Sequence, residues 1–362
     1  MAYTTIDDPS AFFQNILYTG DSSGSRSVTF DGNSDLQPDF VWTKGRSNSG
    51  DHFLHDSSRG VHKNIHSNTA QTETDNSNGL TAFNSDGFSM GNVGGMNYNG
   101  NTYVGWGWKA NGASRTTFTE SGANPGGGHQ ANTTAGFSIV DYVGTGSNGG
   151  TVAHGLGAVP HWIMVKNRDT AQTWAVYHIK NTDDPETDIL QLEATNATYD
   201  GNTYWNDTAP TSTNVTLGTS NDLNKDGDNI IMYVWTAIQG FSKFGKYKGN
   251  SSASGPFIYC GFKPAWVMVK RSDSANDWRM HDNKRTLATV SGRNPINRRL
   301  LAHDTAAEVT ADGSESEMDL LSNGFKINST SAGLNNSSGT YVYMAFAESP
   351  FVTSGGTPTH AK

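Results

Sequence analysis

The sequence of 362 residues has little cysteine and no long apolar run. Its single cysteine, Cys260, forms no intrachain disulfide or cysteine-based metal cluster, and it is compatible with a reducing cytoplasm. No apolar run reaches the roughly 18 residues that cross a bilayer, so we expect no membrane insertion. The first ten residues lack the basic start and the apolar stretch of a secretory signal peptide.

Hydrophobic residues make up only 34% of the sequence and charged residues 16%. An aromatic content of 10%, with nine tryptophans, nevertheless excludes a disordered chain. Apolar residues with the 3.6-residue period of a helix are almost absent, and short helical turns are expected at most within residues 183–194 or 294–302. The length indicates two or three domains.

The net charge of −9 is unevenly distributed. It is −5 in residues 1–112, −8 in residues 113–239 and +4 in residues 240–362. A basic final third is compatible with docking on an anionic partner and also with an ordinary solvated surface.

Three segments of the sequence share one order of landmarks. In each, a strand-like run begins at a proline and has an aromatic residue two places later and a lysine six places later. These runs are PDFVWTK (38–44), PHWIMVK (160–166) and PAWVMVK (264–270). Each segment opens on Tyr-x-Gly and closes on an aromatic-rich run. The closing runs are TYVGWGWKA (102–110), NIIMYVWTA (229–237) and TYVYMAFAE (340–348). A fixed order of landmarks predicts a tandem repeat.

These runs alternate with the two-residue period of β-strands, and clusters of Gly, Asn, Asp and Ser separate them. We therefore predict an all-β protein with three tandem β-sandwich, jelly-roll-like repeats of about 110 residues. The predicted repeats are residues 1–112, 133–239 and 240–352. Residues 113–132 are expected to form a linker and residues 353–362 a loose tail.

The phrases SKFGKYKGN (242–250), PAWVMVKR (264–271) and YMAFAESPF (343–351) resemble a β-sandwich family found in genomes of marine bacteriophages. The stretches NSDGFSMG (84–91) and NGNTYVGWGWKA (99–110) are also similar to it. That family is related in style to concanavalin-like and SPRY-like sandwiches, and its members are regarded as virion structural proteins, often tail-fibre-like. The resemblance implies a fold and a setting but no catalytic or ligand-binding residue.

Two candidate ligand sites follow from the residues themselves. The side chains of Asp222, Asn224, Asp226 and Asp228 have the oxygen spacing of a calcium loop, but the glutamate expected at the twelfth position is Tyr233. A polar hairpin is the alternative, and we expect no other cofactor. Trp205 lies in a polar stretch (200–210) rather than a strand and is a candidate for stacking on a sugar.

The densest basic feature is a candidate docking surface for an acidic partner, with a solvated loop as the alternative. It consists of Lys284, Arg285, Arg293, Arg298 and Arg299. It lacks the interleaved aromatic residues that stack on bases, so we expect no nucleic-acid binding. Glycan hydrolysis requires two carboxylates around the scissile bond, and the candidates are Glu193 with Asp188, or Glu315, Glu317 and Asp319. Because the last set lies in a charged loop, we expect no enzyme.

We expect a virion protein, assembled in the host cytoplasm, that forms a tail fibre or tail-associated part and contacts host surface glycans. The alternatives are a capsid decoration or head-fibre protein and a structural adaptor without a host ligand. The expected partners are other virion proteins, further copies of the chain in a homo-oligomer, with a trimer favoured, and host polysaccharide.

Overall fold

The computed structural model describes residues 2–285, 295–310 and 317–359. Its regular elements are overwhelmingly antiparallel strands, since runs rich in Val, Ile, Tyr, Phe, Trp and Thr alternate with turns of Gly, Asn, Asp and Ser. The predicted all-β sandwich class is confirmed. Among the described residues, no helix is long and apolar enough to span a membrane.

The first segment (residues 1–112) forms three sheets, in the orders β1-β9-β3-β4, β2-β8-β7 and β5-β6. Its strands are β1 (Phe13–Thr19), β2 (Arg26–Val28), β3 (Phe40–Gly45), β4 (Phe53–Asp56), β5 (Lys63–Asn64), β6 (Thr74–Asp75), β7 (Leu80–Phe83), β8 (Phe88–Met90) and β9 (Thr102–Trp108). A 3-10 helix at Pro9–Ala11 precedes β1, and the one-turn helix α1 (Gly94–Asn97) precedes β9.

The second segment forms an eight-stranded sheet, in the order β10-β11-β12-β19-β14-β15-β16-β17, and the pair β13-β18. Its strands are β10 (Thr116–Phe118), β11 (Gly127–Asn132), β12 (Phe137–Val143), β13 (Gly150–Ala153), β14 (Trp162–Asn167), β15 (Ala175–His178), β16 (Asp188–Gln191), β17 (Tyr199–Asp200), β18 (Asn214–Leu217) and β19 (Asn229–Trp235). The one-turn helix α2 (Asn221–Asn224) precedes β19. A 3-10 helix at Pro185–Thr187 is the helical part of residues 183–194.

The third segment forms a six-stranded sheet, in the order β20-β29-β22-β23-β25-β26, and a four-stranded sheet, β21-β28-β27-β24. Its strands are β20 (Ser242–Lys248), β21 (Phe257–Tyr259), β22 (Phe262–Arg271), β23 (Trp278–Asp282), β24 (Pro295–Ile296), β25 (Arg298–Leu301), β26 (Val309–Thr310), β27 (Met318–Leu321), β28 (Gly324–Ile327) and β29 (Thr340–Pro350). The one-turn helix α3 (Ala332–Asn335) precedes β29. The part of residues 294–302 that the structure describes contains strands rather than a helical turn.

One strand order recurs in the three main sheets. The order is β1-β9-β3-β4 in the first, β12-β19-β14-β15 in the second and β20-β29-β22-β23 in the third. The pairing registers also agree, because the closing-strand residues Trp106, Tyr233 and Met344 face Asn15, Ile139 and Phe244 in the opening strands. These registers define which residues of the three segments are equivalent.

Residues 113–132 are a hairpin of the second segment, so the expectation of a linker is wrong. The strands β10 and β11 extend the main sheet beyond the opening strand β12. Phe118 of β10 packs against the core of this segment. Because successive side chains of a strand point to opposite faces, the hairpin needs apolar residues on one face only, which is why its composition is polar. The equivalent opening strands β1 and β20 are edge strands in the sheets that the structure describes.

The described part of the tail, residues 353–359, is held in place by hydrogen bonds and is not loose as expected. Val352 forms a β-bridge with Pro358, and the Ser354 backbone N–H donates a 2.6 Å hydrogen bond to the Asp7 carboxylate. The two ends of the described chain are therefore joined beside the third segment.

Three lysines link the segments in a closed cycle. The ammonium groups of Lys44, Lys166 and Lys270, at the ends of the proline strands, are buried. Each donates a hydrogen bond to a carbonyl oxygen of another segment, and the acceptors are Thr305, Ala70 and Thr195, at 3.2, 3.0 and 2.8 Å. The first segment thus contacts the third, the third contacts the second, and the second contacts the first.

The closing strands bring aromatic rings from all three segments into one core. Trp108, Trp235 and Phe346 occupy equivalent positions and belong to a single buried cluster. The ring centroid of Trp108 lies 6.4 Å from that of Trp235 and 5.6 Å from that of Phe346. Burial of such large side chains provides most of the stabilisation that a thin sandwich needs.

Candidate functional site

Trp205 does not face a ligand, contrary to the prediction from its polar neighbours. Its side chain is fully buried, and its indole Nε1 donates a 3.1 Å hydrogen bond to the carbonyl oxygen of Asp188. The ring packs edge-on against Tyr177. The polar stretch 200–210 therefore folds back over the second segment and inserts its tryptophan into that core.

The described cations of the predicted basic docking surface form ion pairs with carboxylates within the fold. The ion pairs are Arg285 with Asp282 and Glu308, Arg298 with Glu308, Arg299 with Glu317, and Lys284 with Asp31. Arg285 is fully buried, and only Lys284 and the two β25 arginines reach the surface in part. These four cations do not form a free basic patch, and Arg293 lies outside the described residues.

The four residues with calcium-loop spacing bond to separate partners instead of one point. Asp222 accepts hydrogen bonds from Thr173 and Tyr204, Asp228 accepts from Asn167 and Thr170, Asn224 bonds to backbone groups, and Asp226 is exposed. Among the described residues, no group of three or more His, Cys, Asp and Glu side chains is placed to hold a metal ion.

Asn224 has the same structural role as two asparagines in loops that lack the acidic residues. Asn97 and Asn335 are its equivalents, and all three are fully buried. In each case the Oδ1 atom accepts a hydrogen bond from the backbone after the opening strand, and Nδ2 donates back to neighbouring loops. The asparagine is thus a requirement of the fold, which accounts for its place in the calcium-like pattern.

The carboxylates considered for glycan hydrolysis are also engaged within the fold. Glu193 accepts a 3.0 Å hydrogen bond from the Trp174 backbone N–H, and burial raises the pKa of this carboxyl to about 6. Asp188 accepts from Thr182. Glu317 pairs with Arg279 and Arg299, Asp319 also has a partner, and Glu315 lies outside the described residues.

An open groove lies on the free edge of the third sandwich. Its walls are the edge strands β20 and β21, and Lys180 of the second segment also lines it. Phe257 and Tyr259 alternate outward on β21, and each is 47% exposed. The groove has a volume of about 530 Å³, and we call it the aromatic–lysine groove.

Lysines give this groove a positive charge. Lys243 Nζ donates a 2.9 Å hydrogen bond to the Tyr259 carbonyl oxygen and lies 5.2 Å from the centroid of its ring. Lys246 is 3.5 Å from the almost fully exposed carboxylate of Asp183. None of the ten described residues that line the groove is acidic. An anion entering it would therefore meet cations whose charge is little compensated locally.

The N-terminal segment fixes the tyrosine of the groove. The Tyr3 hydroxyl lies 3.1 Å from that of Tyr259 and donates a 2.8 Å hydrogen bond to the Gly261 carbonyl oxygen. Tyr343 forms part of the floor of the groove. Its hydroxyl fits there because Gly245 has no side chain, since a Cβ atom on Gly245 would lie 2.6 Å from that hydroxyl. The site is therefore largely preformed.

The fold does not require aromatic residues at these two positions. The strand β21 is aligned with β2 and β13 through the residue that pairs with the middle of each strand. The equivalents of Phe257 and Tyr259 are then Ser27 and Thr29 in the first segment and Thr151 and Ala153 in the second. The lysines are likewise specific to the third segment. Lys243 and Lys246 correspond to Gln14 and Leu17 in β1 and to Ser138 and Asp141 in β12.

Sequence reasoning missed this groove although two of its lysines, Lys243 and Lys246, lie in a recognised phrase. SKFGKYKGN contains β20 (Ser242–Lys248), and the resemblance that this phrase carries implies no ligand-binding residue. A comparison of the short second strand among the repeats would have identified Phe257 and Tyr259, because an outward aromatic pair occurs in one segment only.

The chain belongs to the DUF7483 family, a domain of unknown function, whose family model matches residues 8–350. The match includes all three segments, so one family domain contains the complete cycle of sandwiches. No curated protein matches the chain.

Proposed function

We propose that the protein is a non-enzymatic structural protein of a bacteriophage particle that binds an anionic glycan of the host surface through the aromatic–lysine groove. The observation that carries this proposal is the exposed pair Phe257 and Tyr259, which the fold does not demand. The resemblance to marine phage proteins supports the virion setting, and a position on the tail follows from contact with the host.

The chemistry of the groove suits an acidic polysaccharide. The apolar face of an aromatic ring can cover the C–H face of a sugar at a small cost in side-chain entropy. The ammonium groups of Lys180, Lys243 and Lys246 can bind carboxylate or sulfate groups along the same chain. Each such site is weak, and many copies on one particle would raise the overall affinity.

The ion pairs of Arg285, Arg298 and Arg299 within the fold favour host contact over docking on an acidic capsid, which stays the alternative. The expected homotrimer stays a prediction. A cycle of three sandwiches is already closed within one chain by the buried lysines.

Binding to alginate and dextran sulfate, with neutral dextran as the control polymer, tests the proposal. We expect the intact chain to bind at least one acidic polymer, and to bind more weakly as salt is raised. The variant F257S/Y259T has the first segment's serine and threonine at these positions and should fold, yet lose at least tenfold in affinity. The variant K243Q/K246L likewise has the first segment's glutamine and leucine at these positions, and it should lose the salt-sensitive part of the binding affinity.

The matched control is Tyr98→Ala, which removes an aromatic side chain that is 59% exposed on the first segment. This variant should bind like the wild type. Absence of binding to both acidic polymers, or equal binding by F257S/Y259T, would refute the assignment of the groove.

A further inference from the structure

A second cavity lies at the boundary between the first and third segments. It has a volume of about 340 Å³, and its lining includes Gln14, Asn15, Asn283, Lys284 and Glu348. It is formed where the opening strand β1 meets the turn after β23 and the end of β29. We call it the boundary pocket.

The polar residues of the boundary pocket replace smaller or apolar ones at the two equivalent boundaries. Asn15 corresponds to Ile139 and Phe244, Asn283 to Ser57 and Ile179, and Glu348 to Ala110 and Ala237. The equivalence of Asn283, Ser57 and Ile179 rests on one hydrogen bond that all three share. In each case the backbone N–H of the residue donates to the carbonyl oxygen of the residue 18 positions earlier. Ile139 and Phe244 pack into the common core, whereas Asn15 lines a cavity.

These side chains form a continuous hydrogen-bonded network. Asn15 Nδ2 donates to Asn283 Oδ1 at 2.9 Å, and Asn283 Nδ2 donates to Glu348 Oε2 at 2.8 Å. Lys263 pairs with the other oxygen of Glu348 at 2.8 Å. At the rim, Lys284 bridges to Asp31 of the first segment at 2.7 Å.

Asn15 leaves one polar atom without a partner. Its side chain is 4% exposed, and its amide nitrogen is engaged, but no described residue donates a hydrogen bond to its Oδ1 atom. This acceptor is not among the fully buried polar atoms of the described residues, so it stays accessible from the cavity, whereas the other two boundaries have an apolar side chain here. A cavity with a few converging polar groups, one of them an accessible acceptor without a partner in the fold, is typical of a ligand site.

We infer that the boundary pocket binds a small uncharged ligand rich in hydroxyl groups, of the size of one monosaccharide. Amide groups both donate and accept hydrogen bonds, as hydroxyl groups do, so the Oδ1 atom of Asn15 and the second N–H of Asn283 Nδ2 complement such a ligand. The charged groups are already paired, Glu348 with Lys263 and Lys284 with Asp31, which leaves no free charge for an ionic ligand. The inference is independent of the aromatic–lysine groove.

Saturation-transfer NMR on the full chain tests it, with D-glucose, D-galactose, D-mannose and N-acetyl-D-glucosamine as probes. We expect saturable binding of at least one of these sugars. Asn15→Ile, which introduces the residue of the equivalent position 139, should weaken that binding at least tenfold. The variant should still fold cooperatively, which its melting curve checks, because an apolar residue is accommodated at both other boundaries.

Two further variants keep the result interpretable. Glu348→Ala introduces the alanine of both equivalent positions and should also weaken binding. F257S/Y259T alters only the aromatic–lysine groove and should bind the sugars as the wild type does, so failure of one site is separable from failure of the other. No saturable binding of any of the four sugars, or undiminished binding by Asn15→Ile, would overturn the inference.

Discussion

Lys44 in the first segment donates a hydrogen bond from Nζ to the carbonyl oxygen of Thr305 in the third segment, at 3.2 Å. The same bond recurs from Lys166 to Ala70 and from Lys270 to Thr195. A lysine that the repeat pattern placed at the end of a strand is thus the residue that joins neighbouring sandwiches. The lysine of the repeated motif is therefore also the residue whose hydrogen bonds close the cycle of segments.

Lys166→Met should loosen a loop that belongs to a different segment. The methionine keeps the aliphatic stem but leaves the carbonyl oxygens of Ala70 and Gln172 without their donor, at a cost of about 1–3 kcal/mol in the free energy of unfolding. Hydrogen exchange should accelerate around residue 70. The control is Lys248→Met on an exposed lysine, and equal exchange around residue 70 in both variants would contradict the linking role.

The free energy of unfolding should rise between pH 8 and 10. Burial lowers the pKa of Lys44, Lys166 and Lys270 to about 8, from an ordinary value of 10.5. In this window the unfolded chain binds more protons than the folded one, so each lysine adds up to about 1.4 kcal/mol per pH unit. Above pH 10 the buried tyrosines, whose pKa burial raises, oppose the gain.

Urea unfolding at several pH values measures this effect. Lys166→Met should reduce the slope of stability against pH, because one of the three lysines no longer titrates. A stability that is flat or falls from pH 8 to 10 in the wild type would show that the buried ammonium groups keep their ordinary pKa.

The strand-rich class and the landmarks of the repeat were predictable because they depend on period and order, which are properties of the sequence alone. Trp205 and the hairpin at residues 113–132 were not, since polar composition does not show whether a stretch folds back onto a core. Lys284 looked like free surface charge because its partner Asp31 lies 253 residues away, beyond any local pattern. Contacts of this kind decide which polar residues are free to bind a ligand.

Trp205→Ala should unfold the second segment more readily and should not act through ligand binding. Loss of a fully buried tryptophan costs about 3–5 kcal/mol, part of it from the cavity left behind. Urea unfolding followed by circular dichroism measures the loss. Tyr98→Ala, at an exposed aromatic, is the matched control and should change stability by less than about 0.5 kcal/mol. Equal stability of the two variants would mean that Trp205 is not part of the core.

Asp282→Ala should be far more damaging than the removal of both members of its ion pair. The carboxylate accepts hydrogen bonds from Arg285 Nε at 2.6 Å and from Trp106 Nε1 at 3.1 Å, and all three side chains are buried. Without Asp282 the buried guanidinium keeps, among the described residues, only the 3.4 Å ion pair with Glu308, and breaking a buried ion pair from one side costs about 3–5 kcal/mol. The double variant D282A/R285M removes that charge and should recover part of the loss. A double variant no more stable than D282A would contradict the ion-pair account.

Asn224→Ala and Asn335→Ala should destabilise the protein to a similar extent, about 2–4 kcal/mol for a buried amide that satisfies several backbone groups. The two asparagines make equivalent hydrogen bonds, yet only the loop of Asn224 carries acidic residues. If that role is structural, the melting temperature of the wild type should be the same in EDTA and in millimolar CaCl₂. A rise in melting temperature with CaCl₂ that Asp226→Asn and Asp228→Asn abolish would instead establish a calcium site in this loop.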